Sequence, residues 1–357
     1  MKTLKTIYTA AAAALLGISA TACTEDSPVT NPPVVDTPVE IERGTFAKGA
    51  DVSWVTQFEA EGYRFSTQDG KEKELMTLLR DDCGVNAIRL RVWVNPENDS
   101  EVQGWCDIDD VVVKARRANE LGLRVMIDFH FSDRWADPGQ QFIPAAWADM
   151  TLDGVKAAMT DHITEMLTKL QRYGVTPEWV QIGNETRTGM MWPLGSLDSG
   201  DNFTQMVNTG YDAVKAICPD ALVLVHCDQA ENRYLYERLF GQITGEGARF
   251  DMIGMSIYPE PSTWRQTVDN GIETVKYCRQ TFGKPVMIVE VGMDYREVEQ
   301  SAAMLEYLMN QSIANDVKGI FWWEPETPVD QGYNKGCFDA NGAPTGAMDC
   351  FKTDTEQ

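Results

Sequence analysis

The sequence predicts a single (β/α)₈ barrel, an α/β fold, and three observations lead to that prediction. From residue 45 onward, short runs rich in β-branched and aromatic residues alternate with amphipathic stretches of helical periodicity. Such alternation implies parallel strands. Eight strand–helix units fit into about 300 residues, the size of one barrel, and no second domain or internal repeat is evident. We therefore expect one domain whose working face lies at the carboxyl ends of its strands.

The eight predicted strands are separated by predicted helices. Several helical stretches, such as "IDDVVVKARRANELG" and "DGVKAAMTDHITEMLTKLQRYG", end in a glycine just before the next strand, which is a common helix stop. In chain order the strands are TFAKGADVSW (45–54), AIRLRVWV (87–94), RVMIDFHF (124–131), EWVQIGNE (178–185), ALVLVHCD (221–228), FDMIGMSIYP (250–259), PVMIVEVG (285–292) and GIFWWEP (319–325).

The N-terminal segment predicts export. Two lysines precede an apolar stretch and then small residues, the layout of a secretory signal peptide over residues 1–22. The stretch is too short to span a bilayer comfortably. Cys23 directly follows "SATA", which resembles a bacterial lipobox, so we expect Cys23 to be the lipidated first residue of the mature chain. The alternative is a soluble secreted form cut nearby.

The next residues read as a tether. Residues 23–43 are rich in proline, threonine and acidic groups without strand or helix periodicity, which is typical of an extended spacer. A disordered terminus without a role is the alternative. We expect the barrel to occupy residues 44–351, with 352–357 as a C-terminal tail. The whole predicts a monomeric bacterial lipoprotein at the outer membrane or cell surface, touching the membrane through its lipid only.

Charge and cysteines limit the possible partners. The net charge is −23, and removing residues 1–22 takes away two lysines and no acid, which gives −25. Such a surface repels nucleic acid and suits a neutral partner. No HExxH motif or tight His/Cys cluster is present, so we expect no metal and no cofactor. Seven cysteines follow Cys23, an odd number, and a bridge between Cys337 and Cys350 stays open as one pairing.

Polar residues recur at the carboxyl ends of the predicted strands, which face the active site in this fold. Asp51 and Trp54 come late in the first strand, and Glu324 comes late in the last. The remaining candidates at these ends are Arg91, Asp128, His130, Asn184, Glu185, His226, Tyr258, Glu290 and Trp323.

Two of these candidates form a carboxylate pair. Glu185 and Glu290 are 105 residues apart, three strand–helix units, which places them on the fourth and seventh strands across the barrel mouth. Two carboxylates facing each other over a cleft are the minimum equipment for glycoside hydrolysis. The alternatives are a salt-bridged strand end for Glu185 and a helix-capping role for Glu290.

Neighbouring residues suit that chemistry. We expect Arg91 to hold Glu290 ionised and Asn184 to bind a sugar 2-hydroxyl. Three tryptophans offer flat faces for sugar rings or serve as ordinary core, namely Trp135, Trp192 and Trp323. For His130 and His226 both a structural and a site role stay open.

Six blocks of the sequence resemble one family. "FAKGADVSWVTQFEAEGYRF", "IRLRVWVNP", "DFHFSDRWADPGQQ", "VQIGNETRTGMMWPLG", "FDMIGMSIYP" and "GIFWWEP" are together similar to endo-β-1,4-galactanases of glycoside hydrolase family 53, clan A. The resemblance implies a retaining mechanism with Glu185 as acid/base and Glu290 as nucleophile. It also implies a −1 site lined by Arg91, His130, Asn184 and Tyr258, with Trp323 beside it, and cleavage of the neutral β-1,4-galactan side chains of pectin.

The chain departs from the family after the seventh strand. The family often reads Glu-Thr-Ala-Tyr where this chain has "EVGMDY", and many bacterial members carry a long calcium-holding loop there. Here a predicted helix follows almost at once, so we expect no such calcium site, and subsite number and product length stay open. Two other functions are also considered: a clan A endo-glycanase acting on xylan or mannan, and a lipid-anchored protein that binds glycan without cutting it. A purely structural surface lipoprotein is a third.

Overall fold

The computed structural model describes residues 41–98, 102–329 and 333–353. The predicted signal peptide, the lipid site Cys23, nearly all of the tether and most of the C-terminal tail lie outside these residues. In the part that is described, no helix is long and apolar enough to cross a membrane.

Eight parallel strands close into one barrel, which confirms the predicted (β/α)₈ fold. Each strand pairs with its neighbour in chain order, and the first pairs with the last from Ala47 opposite Gly319 to Asp51 opposite Trp323. The strands are β1 (Ala47–Asp51), β2 (Ala87–Val92), β3 (Arg124–Phe129), β4 (Trp179–Ile182), β5 (Leu222–Cys227), β6 (Met252–Ile257), β7 (Val286–Val291) and β8 (Gly319–Trp323).

The helices surround the barrel and return the chain to its amino-terminal face. The α-helices are α1 (Val55–Ala60), α2 (Leu75–Cys83), α3 (Ile108–Glu120), α4 (Leu152–Arg172), α5 (Asn202–Ile217), α6 (Arg233–Gly245), α7 (Trp264–Phe282) and α8 (Val298–Ala314). Gly122, Gly174 and Gly283 follow α3, α4 and α7 with positive φ, which is the predicted glycine stop. A short antiparallel hairpin with two residues in each strand, Gly189–Met190 and Gly195–Ser196, lies between β4 and α5.

The lower half of the barrel interior is apolar. Phe321 of β8 and Trp179 of β4 meet edge to face there, with ring centroids 6.0 Å apart. Gly49 leaves the space that Phe321 needs, because a Cβ at residue 49 would lie 2.2 Å from the Phe321 ring. This close packing supports the polar side chains above it. The interior cluster consists of Ala47, Ala87, Met126, Trp179, Leu224, Met252, Met287, Val289 and Phe321.

A β-bulge in β7 redirects one side chain into the barrel. Met255 of β6 pairs with Ile288, but the next residue of β6, Ser256, pairs with Glu290. The extra residue is Val289. Because Met287 and Val289 already face the interior, strict alternation would turn Glu290 outward, and the bulge turns it inward.

The cysteines carry no bridge in the described structure. All seven that follow Cys23 are free thiols, and six of them are buried. The bridge between Cys337 and Cys350, which the sequence left open, is therefore not formed here. Desolvation in the core raises the pKa of the Cys350 thiol to about 12 and that of Cys337 well above its ordinary value.

Candidate active site

Glu185 follows β4 at a turn in the backbone. Gly183 and Glu185 both have positive φ, 79° and 46°, so the chain leaves the strand direction and presents Asn184 and Glu185 to the barrel mouth. The Glu185 side chain is half-buried, and its Oε1 accepts a hydrogen bond of 2.8 Å from Ser256 Oγ. Desolvation raises the pKa of Glu185 well above the ordinary value, and the negative charges of Glu290 and Asp228 raise it further. These surroundings therefore favour the protonated form of Glu185.

Glu290 faces the same cavity from β7 in a different environment. Its Oε1 lies 3.0 Å from Arg89 Nη1, and its Oε2 accepts a hydrogen bond of 2.8 Å from the Tyr258 hydroxyl. Burial raises the pKa of Glu290 to about 7, while Arg89 and Tyr258 act in the opposite direction. Because both of these donors favour the carboxylate, Glu290 is the more readily ionised member of the pair.

Arg89 organises the floor of the site. Its guanidinium is 1% exposed and lies 2.8 Å from a carboxylate oxygen of each of two aspartates, Asp51 and Asp128. It also donates to Gln181 Oε1 at 3.1 Å and to Asn184 Oδ1 at 3.0 Å. A single arginine thus links four strands beneath Glu290, and its charge offsets several buried carboxylates.

The prediction that Arg91 holds Glu290 ionised is wrong, because Arg89 does so. Arg91 lies two residues further along β2 and makes a very short ion pair with Glu324, which follows β8. Its guanidinium packs against three indole rings, at 4.4 Å from Trp135, 4.9 Å from Trp54 and 5.0 Å from Trp93. At 1% exposure it supports aromatic rings rather than contacting substrate.

Asp128 and His226 were predicted to bind substrate, but neither side chain has any exposed surface. Asp128 accepts hydrogen bonds from Arg89 at 2.8 Å and from Gln181 at 2.6 Å. His226 Nε2 lies 2.6 Å from Ser256 Oγ, beneath Glu185. Both residues act on the site through other side chains.

His130 and Asn184 lie at the edge of the cavity. His130 is 4% exposed, its Nε2 is 3.0 Å from Asp128 Oδ2, and its Nδ1 accepts a hydrogen bond of 3.3 Å from Ala136 N–H. Asn184 is 6% exposed and donates through Nδ2 to the Ala136 carbonyl at 2.8 Å. Since an amide nitrogen carries two hydrogens, one remains for a ligand hydroxyl.

An aromatic cluster forms one side of the mouth. Trp323, half-buried at the end of β8, packs at right-angled or tilted geometry against Trp54, Trp135 and Tyr333, with ring centroids 5.2, 5.9 and 4.7 Å away. The cluster brings together two of the three predicted tryptophans. Trp192 lies apart from it, half-buried beyond β4, with its Nε1–H donating to the Thr188 carbonyl at 3.1 Å.

Several residues of the site were missed at the level of sequence. Arg89 was missed because it precedes the predicted Arg91 by two residues in "IRLRV", and only their different heights in the barrel give the two arginines different partners. Ser256 and Gln181 carry no motif and are recognised by contact alone. Asp228 follows His226 by two residues, where strand polarity offered a signal, and it pairs with Arg187 at 3.1 Å.

Metal ligation has no support among the described residues, where no group of three or more histidine, cysteine or acidic side chains is arranged to hold an ion. The expected absence of a calcium site stays a prediction. After β7 the chain does enter α8 at Val298, as the sequence indicated.

Two carboxyl groups of unlike environment at the carboxyl end of a (β/α)₈ barrel, flanked by aromatic rings, define a glycoside hydrolase. A family profile described as Glycosyl hydrolase family 53 matches residues 47–351. The chain belongs to this family. The match includes every residue of the site described above.

Named relatives support the same assignment. The chain is 31% identical to the "Endo-beta-1,4-galactanase" of Bacillus subtilis (strain 168) over 308 residues, covering 78% of this chain and 70% of the relative. It is 31% identical to the "Arabinogalactan endo-beta-1,4-galactanase" of Humicola insolens over 318 residues, covering 82% of this chain and 93% of the relative.

Solved structures agree. A fungal β-1,4-galactanase superposes with a TM-score of 0.77 at 26% identity, covering 87% of this chain and 99% of the other. The Ignisphaera aggregans GH53 catalytic domain gives a TM-score of 0.78, also at 26% identity, covering 90% and 99%. Xylanase 10B of Thermotoga maritima, at 14% identity and a TM-score of 0.58, covering 86% of this chain and 93% of the other, shares the fold alone.

Proposed function

We propose that this protein is a retaining endo-hydrolase of β-1,4-galactosidic bonds in galactan and type I arabinogalactan, releasing galacto-oligosaccharides. The observation that carries the proposal is the contrast between Glu185, whose surroundings favour the protonated form, and Glu290, which is held by Arg89 and Tyr258. Membership of family 53 and the galactanases among its relatives supply the substrate class.

In the first step, Glu290 attacks the anomeric carbon while Glu185 gives its proton to the glycosidic oxygen. A bond forms between Glu290 and the sugar, the glycosidic bond breaks, and the shortened chain leaves with the proton. Arg89 and Tyr258 keep the attacking carboxylate ionised and oriented. The proton on Glu185 is maintained in part by the negative charge of Glu290.

In the second step the same residues exchange roles. Once Glu290 is esterified it is neutral, so its contribution to the raised pKa of Glu185 disappears and Glu185 becomes a stronger acid that can act as a base once ionised. Glu185 takes a proton from water, the hydroxyl adds to the anomeric carbon, and the ester bond to Glu290 breaks. Two displacements return the original anomeric configuration.

Substrate binding follows from the cavity edges. The free hydrogen of Asn184 Nδ2 suits a sugar hydroxyl beside the reacting carbon, and Trp323 offers a half-buried indole to the apolar face of a ring. The aromatic cluster around Trp323 fixes that indole, so little side-chain entropy is lost on binding.

The test is reducing-end release from linear β-1,4-galactan, with xylan and mannan beside it, by the wild-type barrel and by Glu290→Gln. We expect cleavage of galactan alone, abolished by the substitution. Proton NMR during the first turnovers should show the β-anomer appearing first. Cleavage of xylan or mannan would overturn the substrate, binding without cleavage would overturn hydrolysis, and an α-anomer would overturn retention.

We also propose that the mature protein is exported and anchored through a lipid on Cys23, with residues 23–43 as a spacer. The sequence alone supports this, through the pattern of residues 1–23 and the Pro/Thr/acidic stretch that follows. Cys23→Ser should abolish fatty-acid labelling and release the protein from membranes. Protease accessibility on intact cells tests outward display, and full protection would count against it.

A further inference from the structure

The backbone of Glu185 is in a conformation that a side chain other than glycine rarely adopts. Its φ of 46° lies in the left-handed region, which costs about 1 kcal/mol or more and persists only where neighbours enforce it. The enforcing residue is His226. The Glu185 N–H donates to His226 Nδ1 at 3.2 Å, and the next residue, Thr186, donates to the His226 carbonyl from both N–H and Oγ1 at 2.9 Å.

The side chain of Glu185 depends on the same histidine through one serine. Ser256, on the neighbouring strand β6, donates from Oγ to Glu185 Oε1 at 2.8 Å. Its Oγ in turn lies 2.6 Å from His226 Nε2. Both His226 and Ser256 have no exposed surface, so water does not compete for these bonds.

The direction of the hydrogen bonds follows from one fixed donor. A backbone N–H can only donate, so His226 Nδ1 accepts from Glu185, and the proton of the neutral imidazole is on Nε2. Nε2–H then donates to Ser256 Oγ, and the single serine hydrogen goes to Glu185 Oε1. Desolvation lowers the pKa of His226 well below its ordinary value, and the charges of Arg89 and His130 lower it further, so the ring stays neutral.

We propose that His226 and Ser256 are positioning residues that hold Glu185 by backbone and side chain and reserve Oε1 as an acceptor, so that Oε2 carries the proton given to the leaving group. This depends on the proposed role of Glu185 as acid/base. The buried histidine thus serves the reaction without touching substrate.

The other neutral tautomer of His226 would reverse the direction of these hydrogen bonds. A proton on Nδ1 would point to Asn184 Oδ1, 3.0 Å away, and Nε2 would accept the serine hydrogen. Ser256 could then only accept from Glu185, which would lock the carboxyl proton on Oε1 in a bond to the protein. The two arrangements differ in one observable, the site of the His226 proton.

Nitrogen-15 NMR of histidine-labelled protein decides between them without any substrate. The chain has only three histidines, at 130, 162 and 226, so spectra of His162→Phe and His130→Gln complete the assignment. We expect His226 to be the Nε2–H tautomer, with bare Nδ1, and uncharged from pH 5 to 8. An Nδ1–H tautomer, or a ring that becomes charged in that range, overturns the proposal. Failure of galactan hydrolysis would leave this readout intact and would count against the proposed function instead.

Kinetics of Ser256→Ala give the second readout. Because Ser256 favours the ionised carboxylate, its loss should raise the pKa of Glu185 and move the alkaline limb of the kcat profile upward by about one pH unit. We expect kcat to fall about tenfold with KM little changed.

The matched control is Ser312→Ala, which removes an equally buried hydroxyl from α8, far from the site. Its pH profile should equal that of the wild type. A Ser256→Ala enzyme that is slower but has an unshifted alkaline limb would reduce Ser256 to a packing residue and overturn the proposal. Ser256→Thr, which keeps the hydroxyl, should restore the wild-type limb.

Discussion

At the Glu290 carboxylate, two donors favour the ionised form, Arg89 on β2 and Tyr258 directly after β6. Arg89 and Tyr258 each contact one oxygen, whereas Glu185 receives a single neutral donor, Ser256. Two chemically identical residues thereby acquire different protonation preferences, because a carboxylate is stabilised by the charge and hydrogen bonds that reach it.

The two arginines of β2 provide a direct test at this scale. Arg89→Lys keeps the charge but loses the planar fork that spans Glu290, Asp51 and Asp128, so we expect kcat to fall by about 10²–10³-fold. Arg91→Lys is the matched control, since its pairing with Glu324 and indole rings is one step removed from the reaction. Trapping of Glu290 by an activated 2-fluoro-galactoside measures nucleophile competence, and equal loss in both variants would contradict the assignment.

Among the secondary-structure elements, the ends of β4 and β7 place the two carboxyl groups of the site. β7 gains one residue at Val289, and that bulge turns Glu290 inward. Gly183 directly follows β4, and its positive φ sets the course of the chain through Asn184 and Glu185. Each of the two carboxyl groups therefore depends on a local irregularity at the end of its strand, a common feature near active sites.

Alanine substitutions at two glycines of similar φ distinguish a loss of folding stability from a loss of activity. Alanine at Gly183 (φ 79°) would place its Cβ 2.6 Å from Thr186, and at Gly174 (φ 73°), after α4, it would meet nothing within 4 Å. We expect both changes to cost about 1 kcal/mol of folding free energy or more, but only Gly183→Ala to lower kcat, by about 10–100-fold. Denaturant melts and galactan kinetics measure both. Wild-type kcat in Gly183→Ala would show that Glu185 is positioned by other contacts.

For the whole molecule, a buried acidic pair links stability to pH. Glu326 has no exposed surface, and neither of its carboxyl oxygens meets a nitrogen or hydroxyl donor from another described residue. Its charge interacts with that of the nearby Glu324 carboxyl, which accepts a hydrogen bond from Trp54 N–H at 3.3 Å. Burial raises the pKa of Glu324 to about 7 and that of Glu326 well above its ordinary value, so we expect the folded pair to share one proton.

The sign of the pH effect follows from those raised values. In the unfolded chain both groups lose their protons near the ordinary glutamate pKa, whereas the folded protein retains one, so the stabilisation is complete at low pH and is lost as pH rises through the raised values. Glu326→Gln cannot ionise, and its amide supplies a donor beside Glu324 at every pH. We expect it to be more stable than wild type by about 1–3 kcal/mol at pH 9 and near equal at pH 5.

Thermal unfolding between pH 5 and 9 measures this difference. The matched control is Glu237→Gln, an exposed glutamate on α6. Its unfolding temperature should follow the wild type at each pH. A Glu326→Gln curve parallel to wild type would mean that the pair does not share a proton.

The sequence by itself determined the fold and the positions of both carboxyl groups. Alternation of strands and helices, and the clustering of polar residues at strand ends, predicted an eight-stranded barrel with Glu185 and Glu290 on its fourth and seventh strands. These patterns can be read from short stretches of the chain, and closure of the barrel brings all the strand ends to one face.

Only the tertiary structure decided which side chains hold those carboxyl groups. Arg89 rather than Arg91 meets Glu290 because the two arginines differ in height by one strand repeat, and the partner is set by the register between strands. The bulge in β7 and the contact of buried His226 with Ser256 likewise depend on how neighbouring strands are aligned. Contacts between residues far apart in the chain depend on distances of a few ångströms, and no one-dimensional pattern records those distances.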